Sequence, residues 1–412
     1  MAKSYDILIV GAGAGGIATA ASLLRRQPDL SICIVEPAEM HYYQPGWTMV
    51  GAGIFTAEQT ARRTEELIPN GVTWVRQAAT GFSPDSNSVT LADGSAIAYR
   101  ILVVAAGLKL NWAGVKGLEA ALGQGGVTSN YSYKTAPYTW KLVQELRRGR
   151  ALFTQPAMPI KCAGAPQKAL YLSCDTWLRA GVLGQIEVEF MQNTPAIFGV
   201  AYYVPSLMSY IEKYGVKLHS MTNLTELDGP ARKAIFVQKK ADGVETTIER
   251  TYDFIHVCPP QVAPDVIKQS PLANAAGWLE VDEATFQHKR FANVFGVGDV
   301  TGASNAKTAA AVRKQAPVVA ENILGHLAGS GPRYIYDGYG SCPLTVERGK
   351  IVFAEFGYGG KLLPTFPLDG RVPRRSAWWL KTLVLPRLYW DYMLKGKEPL
   401  ASPEARYVKA AG

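Results

Sequence analysis

Ile7-Leu-Ile-Val10 is a short apolar run that ends in glycines, and the apolar positions beyond it (Ile17, Ala18, Ala20, Ala21, Leu23, Leu24) recur at helical spacing. That change of period predicts a buried strand, a tight turn and a helix. A second strand is expected over residues 30–35. Short alternating stretches at 72–75, 88–91 and 96–99, with a turn at Asp93-Gly94, predict an inserted β-meander. Residues 101–107 read as a separate buried parallel strand that ends at small residues. The middle of the chain alternates helix and strand: helix 139–148, strand 150–154, helix 168–179, strand 185–191, helix 205–214, strand 216–219, a hairpin near Asp228-Gly229, then strand 252–258 before Pro259-Pro260. Strand 293–299 and helix 307–324 return the chain to the first domain, and strand 350–356 opens the last part. There Pro386 is expected to divide two short helices. On the second, Arg387, Asp391 and Lys395 share one face, and Leu388, Tyr389, Tyr392 and Met393 the other. With Arg374, Arg375 and Lys381 flanking the apolar patches, this pair suits a membrane interface.

The alternation of strands and helices places the chain in the α/β class. It predicts two Rossmann-like domains of three-layer ββα type followed by an amphipathic membrane-docking region. The first domain is discontinuous, 1–128 and 262–335; the second spans 129–261; the docking region is 336–412.

Gly11, Gly13 and Gly16 fit the spacing of a dinucleotide turn. The first permits the turn, the second admits a pyrophosphate against the backbone, and the third lets helix and strand pack closely. Glu36, at the end of the second strand, is placed to accept ribose hydroxyls. The loop 40–47, which includes Gln44, falls at the carboxyl edge of the sheet, where open α/β folds bind ligands. Ala106 and Gly107 are small enough for a cofactor to pass close by. Asp299, delivered by an apolar strand beside glycines, suits the hydroxyls of a flavin side chain. Together these residues predict FAD.

A chain of 412 residues needs at least two cores. With 48% hydrophobic and 19% charged residues it reads as globular, not disordered. The net charge of +9 comes without a basic arm or nucleic-acid motif, so no nucleic-acid partner is expected. No apolar run reaches the roughly 20 residues of a membrane span, and residues 1–7 do not read as a signal peptide. The expectation is a peripheral (monotopic) protein, on a bacterial inner membrane. The five cysteines form no metal-type pairs, and no metal site is expected.

In a two-nucleotide flavoenzyme a second glycine turn would follow strand 150–154. Residues 155–167 hold three prolines and Cys162 there instead. A nicotinamide site is therefore expected to be lost. Cys162 and Cys342 are the two cysteines placed to approach a flavin ring from that side, with Lys161 and the helix from Lys168 as candidate sources of positive charge. By residue type alone, two buried inert thiols are the expected reading.

The stretches Tyr42–Gly53, Lys161-Cys-Ala-Gly-Ala-Pro-Gln-Lys168, His256-Val-Cys-Pro-Pro260, Ala275–Trp278, Asn293–Asp299, Lys307–Val312 and Tyr336-Asp-Gly-Tyr-Gly-Ser-Cys-Pro343 span nearly the whole chain. Through them it resembles the sulfide:quinone oxidoreductases, and within them the branch that includes the mitochondrial enzyme. The resemblance implies flavin-dependent transfer of two electrons from hydrogen sulfide to a membrane quinone. It implies that Cys162 and Cys342 are a redox pair bridged by extra sulfur at rest, with Cys342 on the flavin side. Cys162 would carry a persulfide handed to glutathione, sulfite, cyanide or sulfide. Many relatives carry a third cysteine where this chain has Asn130-Tyr-Ser-Tyr133, which agrees with the two-cysteine branch. Lys307 would stabilise the reduced flavin, and Phe353, Phe356 and Tyr358 would line the quinone channel. A homo-oligomer is compatible with this reading. The alternatives at this point are a type II NADH:quinone oxidoreductase, a flavoprotein subunit of a sulfide dehydrogenase, and a non-catalytic sulfide-responsive flavoprotein.

Overall fold

The computed structural model describes residues 3–403. The last residues of the expected docking region, 404–412, lie outside them.

Strand β1 (Ser4–Val10) is buried along its apolar half, turns at Gly11 and feeds helix α1 (Ala14–Arg26). It pairs in parallel with β2 (Ile32–Val35), which pairs in turn with β3 (Thr73–Val75) at the sheet edge. β4 (Ala79–Ser83) and β5 (Ser88–Leu91) form an antiparallel hairpin that continues into β6 (Ala96–Val104). The expected meander is thus corrected twice. Residues 73–75 belong to the parallel sheet, and 96–99 and 101–104 are one strand, not two. β6 pairs antiparallel to β5 at its start and parallel to β1 throughout. Arg100 does not interrupt it because it points outward, where it pairs with Asp6 at 2.8 Å.

A two-stranded hinge follows: β7 (Lys109–Leu110) pairs with a later strand at 261–262. The second domain starts just beyond it. β8 (Val127–Thr128) already belongs to the second sheet, and Val115, Leu118 and Ala121 pack in that domain's core. The expected boundary at 128/129 therefore moves back to the hinge. The reason is that segment 112–128, rich in glycine and turns, buries its few apolar side chains against the second sheet. Helix α2 (Ala136–Glu145), β9 (Gly149–Gln155), α3 (Ala165–Arg179), β10 (Ile186–Gln192), α4 (Val204–Lys213) and β11 (Lys217–His219) follow the expected alternation. A three-stranded meander, β12 (Thr222–Asp228), β13 (Lys233–Lys239) and β14 (Glu245–Thr251), precedes β15 (Phe254–His256). The second sheet is parallel, in the order β8-β15-β9-β10-β11.

β16 (Gln261–Val262) closes the hinge, and β17 (Val294–Gly296) returns to pair with β6. Helix α5 (Ala309–Leu327) lies against α1 in the first core. The antiparallel ribbon β18 (Gly340–Glu347) and β19 (Lys350–Phe356) packs on α3, so the last part of the chain joins the second core. A helical run at 375–395 completes the molecule. It is continuous through Pro386, because wide i→i+5 turns at 380–384 and 388–392 flank that residue. The expected break is absent. Those turns also rotate the faces: Tyr389, Trp390, Met393 and Leu394 are buried in the first core, while Tyr392, assigned to the apolar face, is exposed. Among the described residues no helix is long and apolar enough to cross a membrane.

Candidate active site

A cavity of about 460 Å³ runs from the glycine turn, past Asp299 and Cys162, to the helical run. Its nucleotide end is shaped by three glycines with different duties. Gly11 has φ of +108°, and a Cβ there would lie 2.5 Å from the Ala105 carbonyl oxygen. A Cβ at Gly16 would fall 1.8 Å from the Gly11 carbonyl oxygen, so strand and helix could not meet. Gly13 has nothing within 4 Å of a built Cβ and caps α1 with no side chain over its N–H groups. That open cradle at a helix N-terminus fits a pyrophosphate. Glu36 borders the cavity and accepts the N–H groups of Ala12 (2.9 Å) and Ala38 (2.8 Å). Ala105 and Gly107 line the wall; Ala106, between them, does not, and packs half-buried against the first core.

Farther along, Asp299 lies in the turn after β17, and burial raises its carboxyl against the pull of Lys307. The Lys307 ammonium donates to the Asp299 and Thr301 carbonyls at 2.8 Å and lies 4.3 Å from the Trp278 ring centroid. Burial lowers it to about 8. Gln44 lines the same stretch and accepts the Lys161 ammonium at 2.6 Å. The indole N–H of Trp47, the Thr48 hydroxyl and both amide atoms of Asn130 are buried, border the cavity and have no partner among the described residues. Unpaired polar groups of this kind need a ligand's donors and acceptors. Cradle, acid and orphaned groups together fit a flavin dinucleotide.

Cys162 precedes α3 by three residues in a left-handed conformation (φ +49°). Its N–H donates to the Lys307 carbonyl at 2.8 Å, and its carbonyl accepts from Ala165 N–H at 2.7 Å. Cys342 comes from β18 and brings its thiol against that of Cys162. Gly164 permits this meeting, since a Cβ there would lie 2.5 Å from Cys342 Sγ. The hydrogen bond from Cys342, with the Lys168 ammonium 3.1 Å from Cys162 Sγ, outweighs burial and holds Cys162 well below the ordinary thiol range. Cys342, bonded to that thiolate and buried, is held well above it. The charge thus comes from Lys168, while Lys161 turns away to Gln44. A second cation, Lys381 of the helical run, donates to the Pro45 carbonyl at 3.1 Å, and burial, then Lys168, lowers it to about 7. Cys33, Cys174 and Cys258 are buried, and burial pushes each thiol up.

At the far end only Phe353 of the three expected channel residues borders the cavity. Phe356 is three residues along the strand, hence on the opposite face, against Phe198. Tyr358 points into the first domain and donates to the Glu283 carbonyl at 2.6 Å. Sequence reading missed Asn130, His41 and Glu355 as cavity residues. Glu355 had a signal: it lies two positions from Phe353 and so shares its strand face.

Residues 5–155 match the pyridine nucleotide-disulphide oxidoreductase family. The mitochondrial sulfide:quinone oxidoreductase of Mus musculus is 40% identical over 392 residues, 95% of this chain and 87% of that one. The mitochondrial enzyme of the same name from Dictyostelium discoideum is 41% identical, over 97% of this chain and 89% of that one. The structure of the sulfide:quinone oxidoreductase from Aquifex aeolicus superposes with a TM-score of 0.78 at 21% identity, covering 96% of this chain and 92% of the other, and so shares the fold.

Proposed function

The chain belongs to the sulfide:quinone oxidoreductases, and from that premise we propose that Cys162 and Cys342 are its redox pair. The enzyme oxidises hydrogen sulfide with FAD and delivers the electrons to a quinone. The observation that carries the site assignment is the contact of Lys168 with Cys162 on the wall of one cavity, between a dinucleotide turn and an apolar face, with Cys342 buried against that pair. Gly13 and the start of α1 hold the pyrophosphate, Glu36 the ribose, and Asp299 the flavin side chain. The flavin, when bound, supplies an electron-pair acceptor at its ring and passes the pair on to quinone.

In the oxidised, sulfur-bridged pair, hydrosulfide adds to Cys162 Sγ. The bond from Cys162 Sγ to the bridging sulfur breaks, leaving a persulfide on Cys162 and a persulfide anion on Cys342 that carries the electron pair. Lys168, held in its charged form by the two cysteines against the cost of burial, stabilises these anions. The persulfide on Cys162 then gives its outer sulfur to a small nucleophile: glutathione, sulfite, cyanide or a second sulfide. The cations Lys168 and Lys381 support an anionic acceptor. Lys307, already committed to two carbonyls, positions the Cys162 loop through its own carbonyl.

Trp379, Leu383 and Val384 of the helical run are 63%, 62% and 48% exposed, with Phe366, Leu368 and Val372 nearby in sequence and also exposed. Arg371, Arg375 and Arg387 are exposed around them. Apolar side chains ringed by arginines support docking on a bilayer surface. The bilayer assigned is a bacterial inner membrane.

Anaerobic titration of the holoprotein tests the reading. Sulfide is expected to bleach the flavin absorbance, and a soluble quinone to restore it. Cys162→Ser and Cys342→Ser should each slow the sulfide-dependent step by at least about 100-fold. Bleaching by NADH and not by sulfide would overturn it.

A further inference from the structure

Among the described residues three carboxylates border the cavity. Glu36 is engaged at the nucleotide turn and Asp299 beside Lys307. The third, Glu355, stands at the opposite end with Phe353, Phe366 and Val384, where the cavity meets the exposed apolar face. Its side chain is fully enclosed by the ribbon and the loop 361–370, and the residue is 3% exposed. Oε1 accepts the Tyr339 hydroxyl at 2.6 Å and the Thr365 hydroxyl; Oε2 accepts the Thr365 N–H at 3.0 Å. Thr365 is exposed, while Tyr339 is buried and borders the cavity. The other ionisable groups facing this cluster are Tyr203, whose hydroxyl meets the Glu355 backbone, and Lys314 and Arg313 from α5, the former 4.1 Å from the Tyr339 ring centroid.

A line of exchangeable groups therefore runs from solvent at Thr365 to a carboxylate on the cavity wall, with the Tyr339 hydroxyl bonded beside it. Glu355 fastens the loop with a group that can also exchange a proton, and it sits there despite the cost of burial. Quinone reduction requires protons at the apolar end, where water is scarce. Building on the assignment of that end to quinone, we propose that Glu355 is the proton donor to the bound quinone, recharged from solvent through Thr365.

The reduced cofactor, when bound, would supply the electron pair and one proton as a hydride equivalent. The second proton leaves the Glu355 carboxyl: its O–H bond breaks as the second quinol O–H bond forms. The carboxylate then regains a proton from water by way of the Thr365 hydroxyl. Tyr339, bonded to the same oxygen, holds the carboxylate toward the cavity. The quinone oxygen becomes far more basic as it gains electrons, so transfer from a carboxyl is downhill.

The test separates the two half-reactions by stopped-flow flavin absorbance in holoenzyme and in Glu355→Gln. Reduction by sulfide should keep its rate, and reoxidation by a soluble quinone should slow about 100-fold. Quinone affinity, read without turnover from tryptophan fluorescence quenching, should be unchanged. Formate should restore reoxidation in Glu355→Gln, and the wild-type solvent deuterium isotope effect on reoxidation should be absent from the variant. Thr365→Val, which keeps the carboxylate, should slow reoxidation less and keep its dependence on solvent deuterium. Unchanged reoxidation, equal slowing of both half-reactions, or a loss confined to quinone affinity would each overturn the proposal. Failure of sulfide to reduce the wild-type flavin would instead overturn the functional reading beneath it.

Discussion

Cys162 shows how much chemistry one residue's surroundings supply. Its thiolate is held by a hydrogen bond from Cys342 and by Lys168, which reaches back from the first turn of the following helix. Lys168→Met should therefore raise the pH midpoint of iodoacetamide alkylation at Cys162 in the reduced protein by at least about one unit, as followed by mass spectrometry. An unchanged midpoint would mean that Cys342 alone sets the charge. The pairing of the two cysteines was implied by the resemblance alone, since by residue type both read as buried inert thiols; the helix that carries Lys168 was legible as a candidate source of positive charge. Lys381 and Glu355 were not, since each reaches the cavity from a segment with no local pattern that points there. Two histidines carry a second consequence at this scale. Burial lowers His41 to about 4 and His256 to about 3, from an ordinary value of 6.5. His41 bridges the Ala12 carbonyl and the Tyr389 hydroxyl, an arrangement that suits the neutral ring. Below pH 6.5 the unfolded chain binds protons that the folded chain refuses. The stability these two contribute is complete above that pH and is lost as pH falls toward 4, by up to about 1.4 kcal/mol per pH unit for each. The Tm should drop over this window, and less steeply in His256→Gln.

At the scale of elements, the glycine turn makes a sharp contrast. Gly16→Ala places a methyl on a backbone oxygen, and the expected result is failure to fold. Gly13→Ala places it in open space, so the apoprotein should keep its Tm while losing FAD, measured by the flavin-to-protein absorbance ratio. Full FAD occupancy in Gly13→Ala would show that the cradle is not the phosphate site. Strands and helices of both sheets were legible because their apolar runs are long and bounded by glycine or proline. The helical run was misread because a 3.6-residue period was assumed. Wide turns around Pro386 shift the buried set to Tyr389, Trp390, Met393 and Leu394.

Across the whole molecule, the domain border was read one segment too late, since residues 112–128 have too few apolar positions to declare which core they serve. The late ribbon's attachment to α3 was also hidden: it depends on contacts between segments some 170 residues apart, Arg348 N–H to Asp175 at 2.9 Å among them. The exposed face of the run gives a prediction that belongs to this scale. Trp379→Glu with Leu383→Glu should abolish co-sedimentation with anionic liposomes and leave turnover with a water-soluble quinone within about twofold. Retained liposome binding would place the docking surface elsewhere.

The helical run does two things with one piece of chain. Val384 is both exposed and part of the cavity wall, which Leu385 and Leu388 continue. With the proposed docking on this face, a hydrophobic electron carrier that dissolves in lipid tails would slide from bilayer to binding site without entering water. What the enzyme senses is then a surface density. Its saturation follows the mole fraction of quinone among the lipids, and diluting the vesicles in buffer at fixed mole fraction leaves the rate per bound enzyme as it was. Such an enzyme reads the redox composition of a two-dimensional pool, not the amount of quinone in a volume.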